Sequence, residues 1–315
     1  MTKQPIPLII LGGSDGRPGS LPKGVENRRT LGGYKAAQLQ IGGKPIVQHL
    51  LDRMAPFDLF GPTVIAGPAA VYQEAGITAP LIDTDSSMGT NIQVAIETVR
   101  KDYPQGPIGF ITCDVIPEPD DLTLMLEDYL STPTDLWYPL IKAPEAAEAM
   151  GASDYKPRYR LPPGPGAPAI PVLPGHLVIA DTEACRLDFL YRLIDTGYAT
   201  RNSSIAARRW KMVAHMLGAI GREELSALAR FEVPSMTYRA VRYGLGTAKG
   251  LAAGTASVPD LENALDHLFI QPRWRKQFPE RTVRTPILNA FSLAKDIDTE
   301  EEAREKGAGM VSTEG

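Results

Sequence analysis

A chain of 315 residues that is 43% hydrophobic and 22% charged has the make-up of a soluble globular protein, with enough length for one large core or two small ones. Its net charge of −4 argues against a general binder of nucleic acid or anionic membranes, although a local basic site stays open. The two cysteines, Cys113 and Cys185, offer neither a disulfide framework nor zinc-like spacing; with no signal-peptide layout and no apolar run of membrane-span length, a soluble cytoplasmic protein is expected.

The first element is Leu8-Ile9-Ile10-Leu11, a short, wholly apolar run that reads as a buried parallel strand ending at Gly12-Gly13. Beyond it, Gly12, Gly13, Ser14, Gly16 and Gly19 form a loop whose amides can approach an anion. Arg17, Lys23, Arg28, Arg29 and Lys35 add positive charge beside it, so the stretch is a phosphate cradle in outline or a solvated surface loop. The spacing fits neither a Walker loop nor a dinucleotide fingerprint.

Pro45 to Met54 has helical spacing, with a favourable proline at its start, and should pack on the first strand. Thr63 to Ala66 reads as a second strand, Pro68 to Glu74 as a short helix and Leu81-Ile82 as a third strand. A polar turn, Asp83 to Ser87, then precedes a helix that starts near Gly89-Thr90-Asn91 and carries Ile92, Ala95, Ile96 and Val99 on one face. Its first-turn amides suit a base or ribose, and ordinary capping by Thr90 or Asn91 accounts for the same residues. Ile108 to Asp114 is an apolar run that ends in an acid, and Pro117 to Asp120 opens another helix through Leu130. This alternation predicts a doubly wound α/β sheet whose ligands bind beyond the strands' carboxyl ends, where the glycine loop and Asp114 both fall.

Asp135 to Pro139 reads as a further strand. From Leu140 to Pro174 periodicity is lost in a Pro/Gly/Ala-rich stretch with Lys156, Arg158 and Arg160 in its middle, the composition of a lid or linker. Strand character returns at Leu177 to Ala180, and Asp181 to Ala184 opens a helix with Leu187, Leu190, Tyr191 and Ile194 on one face. Helices are expected at Ser203 to Leu217, Arg222 to Phe231 and Pro259 to Phe269, where Arg208, Arg209 and Lys211 read as a solvated face. The tail from Gly307 to Gly315 is expected to be loose.

Several of these motifs occur in the order of one family. The strand, the loop Gly12-Gly13-Ser14-Asp15-Gly16-Arg17, a later lysine and Ile41-Gly42-Gly43-Lys44-Pro45-Ile46-Val47 resemble the MobA-like nucleotide-transferase domain. Asp135-Leu136-Trp137-Tyr138-Pro139 resembles that family's D-[LV]-x-Y-P element. Lys295-Asp296-Ile297-Asp298-Thr299 through Ala303 resembles its terminal V-D-[IV]-D-T-x-E-D-L element, with Glu302 where the family often has Asp. Pro174-Gly175-His176 stands where relatives carry Gly-Gly-Asn.

The resemblance implies a Rossmann-like, mostly parallel sheet flanked by helices, of the nucleotide-diphospho-sugar transferase type, with a helical C-terminal portion. It implies one domain over 1–306: a nucleotide-binding half at 1–139, then an acceptor lid, helices and a returning metal-ligand strand at 140–306. The activity implied is Mg²⁺-dependent transfer of a nucleoside monophosphate from a triphosphate to a phosphorylated small molecule, with release of pyrophosphate. Leu11, Gly12, Gly13, Ser14, Gly16, Thr90 and Asn91 would face the nucleotide, Arg17 and Lys35 the triphosphate, and Lys156, Arg158, Arg160 and His176 the acceptor.

Because Pro18 to Tyr34 is inserted before Lys35, Lys23 remains an alternative triphosphate lysine. Asp114 and Asp298 would hold Mg²⁺, with Asp296 the alternative, since strand alternation puts Asp296 and Asp298 on one face. A glycosyltransferase on the same fold should show D-x-D, which Asp114-Val115-Ile116 lacks. A non-catalytic nucleotide-binding or regulatory protein is the rival of a different class. The base, the acceptor and the oligomeric state stay open.

Overall fold

The computed structural model describes residues 5–14, 28–156, 158–200, 205–229, 231 and 233–313. Its first half runs β1 (Ile6–Leu11), α1 (Lys35–Gln38), β2 (Gln40–Ile41), β3 (Lys44–Pro45), α2 (Ile46–Met54), β4 (Phe60–Gly67), α3 (Ala69–Glu74), β5 (Leu81–Asp83), α4 (Met88–Asp102), β6 (Pro107–Thr112) and α5 (Pro119–Leu130). Then come β7 (Thr134–Trp137), β8 (Leu140–Lys142), β9 (Tyr159–Leu161), β10 (Ile170–Pro174), β11 (Leu177–Asp181), α6 (Leu187–Thr200) and α7 (Ile205–Ala229). The chain closes with α8 (Met236–Arg239), a π-helical turn (Ala240–Leu245), α9 (Gly246–Ala253), α10 (Val258–Phe269), α11 (Pro272–Gln277), β12 (Thr282–Arg284), β13 (Ile287–Leu288) and α12 (Glu300–Thr313).

Among the described residues seven strands form the main sheet in the order β12-β7-β11-β6-β1-β4-β5. β1 pairs in parallel with β4 and β6, β4 with β5, and β7 with β12; β11 runs antiparallel between β6 and β7. Alternation along β1 decides the layers. Leu8 and Ile10 point into a core with Val47, Leu50 and Met54 of α2 and Leu122 and Met125 of α5. Ile9 points the other way, into a core with Ile92, Ile96 and Val99 of α4, against which Leu187 and Tyr191 of α6 pack. The sheet is thus covered on both faces. β1 lies between β4, later in the chain on one side, and β6 on the other, so the crevice beyond the carboxyl ends of β1 and β6 is the topological switch point.

The Ile41-Gly42-Gly43-Lys44-Pro45 motif forms the β2–β3 hairpin, with φ of +58° at Gly42 and +82° at Gly43. Two successive positive φ values are what a tight two-residue hairpin needs, so both glycines serve the turn.

Four expectations change. Leu140 to Pro174 is not an irregular stretch: β8, β9 and β10 join β13 in a second sheet of order β13-β8-β10-β9. Its prolines break local periodicity, while Leu140, Leu161 and Val172 are buried through pairing between distant segments. The helices expected on either side of Gly218 and Gly221 are one helix, α7, because an interior glycine weakens a helix by only about 1 kcal/mol. The returning segment near Asp296 is a 3₁₀ turn (Phe291–Ala294) followed by isolated bridges, Val115 to Asp296 and Thr30 to Thr299, because it threads between two loops instead of beside a strand. The stretch from Gly307, expected to be loose, continues α12 as far as Thr313. No helix among the described residues is long and apolar enough to cross a membrane.

Candidate active site

Asp114 follows β6 by two residues. Its carbonyl accepts the Ile297 amide at 2.9 Å, while the Leu31 amide donates to the Asp298 carbonyl at 2.8 Å. The returning segment is therefore pinned on both sides. Ile297 enters an apolar cluster with Ile41, Ile46 and Ile116. Its two neighbours in the chain then face the opposite way, towards Asp114. One carboxylate oxygen from each of Asp114, Asp296 and Asp298 lies within 4.8 Å of the other two.

Two buried ammonium groups hold this trio together. Lys35, at the start of α1, sets its Nζ 2.9 Å from Asp114 Oδ2 and 2.6 Å from Asp298 Oδ1. Lys156 sets its Nζ 2.5 Å from Asp296 Oδ1, 3.0 Å from Glu302 Oε1 and 3.7 Å from Asp298 Oδ2. Glu302 is buried and saturated. It accepts from the amides of Asp298 (2.8 Å) and Thr299 (3.0 Å), from Ser153 Oγ (2.6 Å) and from Tyr155 Oη (3.1 Å). The Glu302 amide in turn donates to Thr299 Oγ1, closing a capping box at the start of α12. His176, just before β11, has Nδ1 3.0 Å from Thr112 Oγ1 and Nε2 3.4 Å from Asp296 Oδ1.

The cluster keeps more negative than positive charge. Among the described residues four carboxylates face two ammonium groups and the His176 imidazole, which leaves a surplus of one negative charge with His176 protonated and two with it neutral. Asp114 Oδ1 is buried and has no hydrogen-bond partner among the described residues, a state that costs free energy unless something occupies it. The two aspartates of the returning segment differ in consequence. Burial, reinforced by Asp296 and Asp114 and only partly offset by Lys35 and Lys156, pushes the Asp298 carboxyl up to about 6. Burial acts on Asp296 too, but His176 and Lys156 beside it outweigh burial and hold its carboxyl well below the usual range. For His176, burial opposes the charged form and Asp296 prevails, raising it above the ordinary imidazole value. Hard oxygen donors, a buried oxygen with no described partner and a surplus of negative charge fit a divalent cation such as Mg²⁺.

The glycine side of the crevice is built differently. The Gly12 amide donates to the Ala66 carbonyl at 2.8 Å and the Gly12 carbonyl accepts Tyr72 Oη at 2.9 Å. A side chain on Gly12 would meet Tyr72 Oη at 2.4 Å, so this glycine is required by close packing, and its amide is not offered to an anion as the loop pattern implied. Leu11 closes β1, Gly13 and Ser14 follow that strand end, and a Cβ on Gly13 would lie 3.3 Å from Asn91 Nδ2. Gly16, Arg17, Gly19 and Lys23 lie outside the described residues.

At the start of α4 the cap is Ser87, whose Oγ accepts the Thr90 amide at 3.3 Å. Neither Thr90 nor Asn91 plays that part. Asn91 is buried, and its Oδ1 accepts from Thr84 Oγ1 (2.8 Å) and the Ser86 amide (2.9 Å), fixing the preceding turn. Asp195 of α6 accepts the Gly89 amide at 2.6 Å and Ser87 Oγ at 2.9 Å, so a protein carboxylate already sits at this helix end.

Of the basic trio, Lys156 alone reaches the cluster. Arg158 donates to the carbonyls of Pro144 (3.0 Å) and Glu145 (2.6 Å), and Arg160 to Glu145 Oε2 (3.2 Å) and the Ala169 carbonyl (2.7 Å). Both guanidinium groups brace the smaller sheet. Sequence reasoning missed Glu302 as a partner of Lys156 and as the clamp on the Asp298 amide, although Thr299-x-x-Glu302 ahead of a helix is a readable capping-box signal. It had no signal for Asp195, which reaches α4 from another helix.

No protein-family model and no curated protein matches the chain. Among solved structures it is similar to CMP:2-keto-3-deoxy-manno-octonic acid synthetase complexed with CTP: 13% identity over 98% of this chain and 100% of that one, TM-score 0.47. It is also similar to 4-diphosphocytidyl-2C-methyl-D-erythritol synthase from Anaerococcus prevotii, with 6% identity over 98% of this chain and 99% of that one, TM-score 0.46. Both are too distant to carry an argument about this site.

Proposed function

We propose that the chain is a nucleotidyltransferase of the MobA-like kind, joining a nucleoside monophosphate from a triphosphate to a phosphorylated small molecule. The observation that carries this reading is the trio Asp114, Asp296 and Asp298, within 4.8 Å at the switch point of the sheet and incompletely neutralised. In the reaction an anionic phosphate oxygen of the acceptor attacks the α-phosphorus. The bond to the bridging oxygen breaks, and pyrophosphate leaves with that electron pair. Mg²⁺ held by Asp114 and Asp298, with Asp296 the alternative partner, would neutralise phosphate charge and let the two anions approach.

The chain's own groups have definite parts in this scheme. Lys35, with Nζ against both Asp114 and Asp298, places a fixed positive charge at the crevice that can pass to phosphate oxygens when the carboxylates are otherwise occupied. Lys156 and Glu302 fix the height of the returning segment from behind, and His176 orients Asp296. A binding protein without catalysis is the second reading, favoured by the protein partners already on the Gly12 and Gly89 amides.

Pyrophosphate release, screened for the four nucleoside triphosphates against a panel of phosphorylated metabolites with Mg²⁺, separates the readings. Release with one pair supports the transferase. Calorimetric binding of a Mg²⁺-triphosphate with no release for any pair supports the binding protein.

A further inference from the structure

The net charge of −4 averages over two unlike regions. Residues 205–253 contain eight Lys or Arg and three Asp or Glu, a surplus of five positive charges, which leaves nine negative charges on the rest of the chain. Two of those three acids are engaged by protein groups: Glu223 pairs with Arg186 at 2.9 Å, and Glu224 accepts the Thr237 amide at 2.6 Å. Arg222, Arg242 and Lys249 are exposed. Among the described residues of this segment these three cations are the exposed charges.

The same segment holds apolar side chains in water. On α7, Ile220 and Ala227 are buried, whereas Leu217, Leu225 and Leu228 are each more than half exposed. At 100° per residue these leucines fall within an arc of about 80°, a second apolar stripe that the fold does not cover. Past the end of the helix Phe231 is 100% exposed at φ +56°, and Val233 is 85% exposed. Tyr238, Val241 and Leu245 follow at i, i+3 and i+7 on the next helical run, also exposed, and α7 packs against α8. A cluster of this kind marks an interaction surface.

We infer that the corner formed by α7, α8 and α9 docks peripherally on an anionic lipid surface. Phe231 and Val233 would enter the headgroup boundary while Arg222, Arg242 and Lys249 meet lipid phosphates. Apolar tips among basic side chains are the pattern that favours such a surface. A second copy of the chain is the poorer occupant: two-fold self-pairing would set the exposed Arg222, Arg242 and Lys249 against their own copies. Head-to-tail pairing finds only a small apolar complement, because the large exposed apolar residues elsewhere among the described residues are Leu124 and Leu130 of α5, Tyr159 of β9 and Tyr198 of α6, no more than two on any one element.

Co-sedimentation of the full chain with vesicles tests the inference. Binding is expected to vesicles of equal parts phosphatidylcholine and phosphatidylglycerol, weakening with added salt, and not to phosphatidylcholine alone. Phe231→Ser with Val233→Ser should abolish it at unchanged circular dichroism. Arg242→Gln with Lys249→Gln should weaken it by roughly thirtyfold if both charges lie near the surface. No binding to the mixed vesicles, binding indifferent to lipid charge, or binding unmoved by the Phe231 and Val233 changes would overturn it. So would a dimer in sedimentation velocity that the same two changes dissolve while no vesicle binding is found.

Discussion

The two sides of the crevice answer polarity in opposite ways. On the glycine side three backbone groups have protein partners: the Gly12 amide has Ala66, its carbonyl has Tyr72, and the Gly89 amide has Asp195. On the carboxylate side the account does not close among the described residues, since Asp114 Oδ1 has no partner and four acids face two lysines and one histidine. A ligand gains most where the free protein is least satisfied, because there it replaces a desolvation penalty instead of competing with an existing bond. On the proposed reading the acidic side would contribute most to recognition, although the glycines are the more conspicuous feature of the sequence.

The largest expected effect sharpens that placement. Asp114→Asn should lower pyrophosphate release by at least about a hundredfold, the scale of removing a group that stabilises transition-state charge, at unchanged circular dichroism. Asp298→Asn should do the same. Turnover kept in Asp298→Asn and lost in Asp296→Asn would hand the role to Asp296. Turnover kept in Asp114→Asn would remove the proposed mechanism.

Next in size is the clamp behind the trio. Glu302→Gln leaves Lys156 with less compensation and weakens the hold on the Asp298 and Thr299 amides, and breaking one partner of a buried ion pair costs about 3–5 kcal/mol. Urea unfolding should show a loss near the lower figure, since the amide keeps some hydrogen bonds. A change under about 0.5 kcal/mol, the level of an ordinary surface substitution, would mean that the clamp is not needed.

Gly12→Ala tests the other side of the crevice. Its Cβ would sit 2.4 Å from Tyr72 Oη and 2.8 Å from Ile65 Cγ2, so a stability loss of about 1–3 kcal/mol is expected from overpacking. Triphosphate affinity measured by calorimetry on the folded fraction should hardly move. Unchanged stability with weaker nucleotide binding would return the phosphate cradle to Gly12.

What was legible in the sequence divides along the same line. Leu8 to Leu11, Thr63 to Ala66 and Ile108 to Thr112 are continuous apolar runs bounded by turn residues, so the parallel half and the positions of Gly12 and Asp114 could be read locally. Asp296 and Asp298 were legible through their order around Ile297. The smaller sheet was not, because its strands of two to five residues become strands only through partners far away in the chain: Ile287 on Leu140 and Val172 on Lys142. Lys156 was read as a basic residue of a lid for the same reason. Its partners, Asp296 and Glu302, lie about half the chain away, and no local pattern announces a buried ammonium.

The smallest effect concerns pH and tests whether the acidic side is frustrated in the free protein. A carboxyl raised to about 6 in the folded state, against an ordinary value near 4 in the unfolded one, keeps its proton over a window in which the unfolded chain has lost it. Across that window the folded state binds more protons, so the Asp298 contribution to stability falls as pH rises from about 4 to about 6. Asp298→Asn cannot titrate, and the stability of the wild type relative to this variant should therefore decline over the same interval. The slope should be shallow, since 39% of the Asp298 side chain is exposed and solvent screens it. Added Mg²⁺ should flatten or reverse the slope in the wild type by binding the ionised trio, and should leave Asp298→Asn less affected. Chemical unfolding at a series of pH values, with and without the cation, reads both. A wild-type stability that rises relative to the variant between those pH values would show that Lys35 and Lys156 already satisfy the carboxylates, and the contrast between the two sides of the crevice would be gone.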